Sequence, residues 1–128
     1  MCLKNLGPER EYDEFPAFKV VGKRCSDDIW RTGPYSKTPL ERGVWLQATN
    51  EPALKIQSDY YGFCVFRYEA DAREWCRTVS FGIAIKVVPV TCKGKCRRGD
   101  VLDKWDVSQS PLPAAYVEYI KFNMEDFE

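Results

Sequence analysis

Short apolar runs rich in β-branched and aromatic residues recur along this chain, separated by clusters of glycine, proline and charge. That pattern predicts strands divided by turns. Phe15 to Lys23 (F-P-A-F-K-V-V-G-K) reads as a first strand, with Pro16 near its start, where a ladder tolerates a missing N–H. Ile29-Trp30 suggests a short strand inside a loop-rich stretch from Cys25 to Leu40. Val44 to Thr49 follows Gly43 as another strand, and Glu51-Pro52 suits the opening of one helical turn. Tyr61 to Tyr68, Gly82 to Cys92 and Ala115 to Phe122 complete the strands. Pro89 marks an edge or bulge, and Pro111 and Pro113 bracket a turn before the last strand.

The period changes once. Between Glu69 and Val79 the apolar residues Ala72, Trp75, Cys76 and Val79 fall at i, i+3, i+4 and i+7, one face of a helix. Glu69 and Asp71 in the first turn and Arg77 in the last complement the helix dipole, and Glu69 and Arg73 form an i,i+4 pair in the favourable order. Many strands and one helix predict an α+β fold, a mainly antiparallel sheet with one principal helix packed on a face. Residues 1–14 read as a polar arm, 15–122 as a single domain and 123–128 as an acidic tail.

A length of 128 residues suffices for one core, and 45% apolar against 30% charged residues suits a folded chain. Lys+Arg and Asp+Glu both total 19, which argues against a dedicated nucleic-acid binder. There is no histidine, which excludes Ser-His and Cys-His nucleophile pairs and His-containing zinc motifs. The first residues lack the apolar run of a signal peptide, and no segment reaches membrane-spanning length. The expectation is a cytoplasmic protein, of the host cytoplasm or a virion if viral, with no membrane association. Six cysteines without such a signal are weak grounds for disulfides, and Cys64 and Cys76 read as small buried thiols.

The densest local chemistry is Cys92 to Asp100, where Lys93, Lys95, Arg97 and Arg98 lie among Gly94 and Gly99. It reads as a tight basic loop, either a solvated hairpin tip or a grip for phosphate, RNA or an acidic partner. Cys64, Cys76, Cys92 and Cys96 are weak candidates for a thiolate zinc site, because only one pair is close and its spacing departs from C-x2-C. A disulfide joining Cys92 to Cys96 across the hairpin neck is the alternative under oxidation. Arg98-Gly99-Asp100 spells an adhesion-type tripeptide, a match short enough to arise by chance. Strand alternation over 115–122 puts Tyr116, Glu118, Ile120 and Phe122 on one face. A carboxylate there would be desolvated and its pKa raised, which makes Glu118 a weak catalytic candidate beside the plainer reading of an edge glutamate in an ion pair. Tyr35, Tyr60, Tyr61 and Trp105 fall in expected loops and form a candidate recognition surface.

The order F-K-V-V, S-x-x-P-L-x-x-G-V-W, G-F-C-V-F-x-x-x-x-D-A-x-x-W and an I-K-V-V strand resembles a family of small proteins of phages, other viruses and mobile elements, over residues 15 to 90. The resemblance implies a viral or mobile origin and carries no activity. The same order resembles, over fewer motifs, a minimal ADP-ribosyltransferase domain. That second resemblance implies Lys19 at the position of the Arg or His of the first strand and Glu118 at that of the catalytic Glu. Tyr116 stands where the usual Gln or Glu would be, and the Ser-Thr-Ser type motif is absent.

The combined reading is a non-catalytic accessory protein that binds another protein, viral or host, as a virion component or an inhibitor, without a cofactor. The alternatives are an NAD-using ADP-ribosyltransferase-like enzyme and phosphate or RNA contact through residues 93–98.

Overall fold

In a computed structural model, the protein is described over residues 7–24, 26, 28–33, 39–48, 55–56, 60–77, 83–101 and 112–123. The elements are β1 (Arg10–Arg24), β2 (Trp30–Arg31), β3 (Trp45–Gln47), β4 (Lys55–Ile56), β5 (Tyr60–Tyr61), β6 (Phe63–Phe66), α1 (Glu69–Cys76), β7 (Ile83–Val101) and β8 (Leu112–Phe122). Strand dominates, and every paired strand is antiparallel to its neighbour. The single helix among the described residues has eight residues. No helix among them is long and apolar enough to cross a membrane, which says nothing of strands.

The main sheet closes on itself. β7 pairs with β1 along one edge and β8 along the other, β8 pairs with β6, and β6 returns to β1 through Phe18 and Phe66. A ring of strands removes the exposed edges that an open sheet would leave. β2 continues beside β1, and β3 continues beside β8. β4 and β5 form a separate two-stranded sheet.

Alternation explains the two apolar layers. On β6, Phe63 and Val65 face the interior of the ring with Ala17, Val21, Val88, Val90, Cys92 and Val117. The intervening Cys64 and Phe66 face outward, where Val20, Ala114 and Tyr116 meet Ala72 of α1. All four β6 side chains are therefore buried, two by the ring and two by the helix. Trp75 and Cys76 extend the helix contact, and the Trp75 ring lies 6.3 Å from that of Phe66. The pair expected between Glu69 and Arg73 is present at 2.6 Å. Val79, expected on the same face, lies outside the described residues.

Several strands differ from expectation: β8 begins at Leu112, so Pro113, expected in a turn, is strand and pairs with Asp100. β1 begins at Arg10, so residues 10–14 of the expected arm are strand, because Arg10 to Tyr12 find partners in Cys96 to Gly94. Pro16 is consequently mid-strand. It is tolerated because β6 pairs with β1 only at Phe18, so the other edge carries no ladder bond there. The strand expected over Tyr61 to Tyr68 divides at Gly62 into β5 and β6, in different sheets.

The largest correction concerns the basic loop. Residues 93–100 form no hairpin tip: β7 runs unbroken for 19 residues. Two cysteines four positions apart on such a strand are separated by roughly 10–13 Å. A disulfide requires Cα atoms within about 7 Å. Cys92 and Cys96 are free thiols accordingly. Pro89 sits one residue before the β8 ladder begins at Val90, so its missing N–H costs no bond on that side.

Candidate functional site

β7 remains continuous through its glycine by bulging. Against β8, Lys93 pairs with Tyr119 and Cys96 with Val117, so Gly94 and Lys95 together oppose Glu118. Against β1, Cys92 pairs with Phe15 and Gly94 with Tyr12, so Asp13 and Glu14 oppose Lys93. Two offset bulges therefore meet around Lys93 to Lys95. A bulge inserts a residue that the ladder does not pair, and Gly suits its first position because φ is positive there. Gly94 has φ +90°. The Lys95 N–H donates to Glu118 Oε1 at 3.2 Å, so the carboxylate takes over a donor that the bulge displaces.

A side chain at Gly94 would be strained by φ, and its Cβ would stand 2.8 Å from Glu118 Oε1 and 2.9 Å from Tyr119 Cδ2. Gly94→Ala is expected to destabilise the fold by about 1–3 kcal/mol. Urea unfolding checks this, and an unchanged midpoint would refute it. Adding Glu118→Ala should recover only part of the loss, because the backbone strain remains.

The bulge also resets β8. Val117, Ile120 and Phe122 pack in the interior cluster, whereas Tyr116 packs toward α1. The shared face expected for Tyr116, Glu118, Ile120 and Phe122 is thus broken at Glu118 and Tyr119. Glu118 is half-buried in a shallow depression bordered by Glu11, Asp13, Lys93 and Lys95.

The four cations of residues 93–98 do not act as one patch. Lys93 Nζ lies 4.1 Å from the Trp45 ring centroid and 5.6 Å from that of Tyr119. Lys95 is exposed. Arg97 Nε donates to the Gly7 carbonyl at 3.0 Å, and Arg98 lies 5.7 Å from the Tyr12 ring. Successive residues of a strand point to opposite faces, so a run of charge along β7 is dealt out among different neighbours.

A different grouping results. Trp45 pairs with Lys121, and Lys121 Nζ lies 4.9 Å from the same indole that Lys93 covers. Trp45, Tyr119, Lys93 and Lys121, all half-buried, make a platform across β3, β8 and β7. Neither lysine has an ion pair among the described residues. The sequence reading missed Lys121 and did not connect Trp45 to Lys93. The only signal available was the alternation on β8, which carries no information about β3 as its neighbour.

Of the candidate recognition aromatics, Tyr35 and Trp105 lie outside the described residues. Tyr60 and Tyr61 are strand rather than loop, paired with Ile56 and Lys55.

The four candidate zinc thiols are divided by the fold. Cys92 and Cys96 belong to the interior layer, and Cys64 and Cys76 to the layer under α1. No group of three or more metal-binding side chains occurs among the described residues. Burial pushes the Cys64 thiol up to about 11, opposed by Lys19. Burial, with the Cys96 thiol adding, pushes Cys92 up to about 12, again opposed by Lys19. Burial also raises Cys76 and Cys96, against nearby Arg73 and Arg98 respectively. Such thiols remain protonated and poorly nucleophilic near neutrality.

Lys19 is itself 5% exposed, on the face of β1 that carries Ala17 and Val21, and its ammonium donates to the Val20 carbonyl at 3.4 Å. In register it pairs with Val88, seven residues along β1 from Tyr12, the partner of Gly94. The two positions implied by the transferase resemblance, Lys19 and Glu118, are therefore not brought to one end of the ring.

No protein-family model matches the chain, and no curated protein and no solved structure matches it.

Proposed function

We propose that this protein is a non-catalytic binding module whose Trp45, Tyr119, Lys93 and Lys121 platform docks a protein partner presenting carboxylates beside an apolar edge. The observation that carries this reading is the placement of two ammonium groups within 5 Å of one indole. Neither has an ion pair among the described residues. Two like charges over one ring repel each other, and a partner carboxylate relieves that repulsion while the aromatic rings supply contact area. The balanced net charge favours a protein over a nucleic acid as the partner. The sequence resemblance to small phage and viral proteins supports an accessory role, as a virion component or an inhibitor of a host factor. On this reading the fold is α+β, with α1 bracing the outer side of the sheet.

The test compares capture of a host or viral partner by the unmodified chain and by Trp45→Ala. Loss of a central aromatic anchor typically costs at least about 2 kcal/mol, so binding is expected to weaken roughly thirtyfold or more. Glu118→Gln should bind normally, since its side-chain carbonyl can still accept the Lys95 N–H. A partner retained equally by Trp45→Ala would sink the placement. Loss of capture on nuclease treatment would transfer the reading to RNA.

A further inference from the structure

β6 pairs with β1 at Phe18 only and ends at Phe66, which leaves the Arg10 half of β1 open on that edge. An open cavity of about 670 Å³ lies in that opening. Its walls are apolar, built from Phe15, Ala17, Val65, Ala114 and Ala115. Arg67 and Arg98 line it as well, and among the described residues no carboxylate side chain does. Both arginines are exposed, and neither has an ion pair among the described residues. Each guanidinium lies near a tyrosine that also lines the cavity: Arg98 is 5.7 Å from the Tyr12 ring and Arg67 5.3 Å from that of Tyr68.

We infer that this cavity binds a small amphipathic anion, an acyl or aryl body carrying a carboxylate or phosphate head. The volume is in the range of small-molecule sites, about 300–1,000 Å³. A purely polar anion would leave the apolar walls unused, and a cation would meet two arginines. A neutral hydrophobe would give the guanidiniums nothing to bind. The planar fork of arginine matches a carboxylate or phosphate with two parallel hydrogen bonds. The head group therefore belongs at the rim between Arg67 and Arg98, with the body along Phe15, Val65 and Ala115.

The test is titration of the full chain, labelled with ¹⁵N, with decanoate, decyl phosphate and decanol. Decanoate or decyl phosphate is expected to give saturable shifts at Phe15, Val65 and Ala115, with decanol at least about tenfold weaker. Whichever anion binds tighter identifies the head group. The double variant Arg67→Gln/Arg98→Gln, which removes only exposed charge, should retain a dispersed spectrum. It should lose at least about tenfold in affinity for the anions and keep its affinity for decanol. Lys86→Gln, on an exposed residue away from the cavity, should change neither. Equal affinity for decanol and the anions, anion binding untouched by the double variant, or no saturable shift would each overturn the inference.

Discussion

Phe66→Ala is expected to destabilise the protein by about 3–5 kcal/mol, the usual cost of emptying a fully buried phenylalanine site. Phe66 is 0% exposed. It is also where the ring closes: in register it meets Phe18 on one side and Ala114 on the other. Its side chain supports Ala72 and Trp75 of the helix. One truncation therefore loosens strand closure and helix docking together. Domains of this kind have total stabilities of about 5–15 kcal/mol, so the variant should lose a large part of its margin. Val44, 43% exposed, is the control, and Val44→Ala should stay within about 0.5 kcal/mol. Denaturant unfolding of both variants checks this. Similar midpoints for the two would refute the assignment of Phe66 as the closure point.

Stability is expected to fall between pH 9 and pH 12. The unfolded chain releases its cysteine protons near pH 9.0, whereas burial keeps Cys64 protonated to about 11 and Cys92 to about 12. In that window the folded state holds protons that the unfolded state has lost. The stability associated with the neutral buried thiols is fully present below pH 9 and is lost as pH rises through the folded values. At about 1.4 kcal/mol per pKa unit, the two sites together contribute several kcal/mol to the alkaline loss. Denaturant unfolding at pH 8, 9.5 and 10.5 measures the slope. Cys64→Ala/Cys92→Ala should start less stable and show a shallower slope. An identical slope in the two proteins would exclude the thiols as its origin.

The helix was legible because its information is local. Ala72, Trp75 and Cys76 share a face by spacing alone, and Glu69 and Arg73 meet because they are four residues apart. The core strands were legible for the same reason, since the apolar run of β6 is a property of four consecutive residues. The basic segment was not. A run of Lys, Arg and Gly reads as a turn, yet here it continues β7 because β1 and β8 supply ladder partners on both sides. Gly94 serves a bulge instead of a hairpin tip. The candidate site suffered most. Lys93 was recognised as a cation, but its aromatic neighbours come from β3 and β8, distant in sequence.

By itself the sequence determined where the chain is apolar in short runs or at helical pitch, and hence the positions of α1, β6 and the centres of β1, β7 and β8. It also determined the inventory of side chains, including the lack of histidine. Only the tertiary structure decided which strands are neighbours, that the sheet closes, and that Glu118 faces a bulge. The same pairings put Lys93 and Lys121 on one indole and left a cavity between Arg67 and Arg98. The physical reason is one of range. Periodicity and capping act over a few residues, whereas register is set by the simultaneous burial of side chains far apart in the chain, and a single inserted residue in one strand changes which side chains meet.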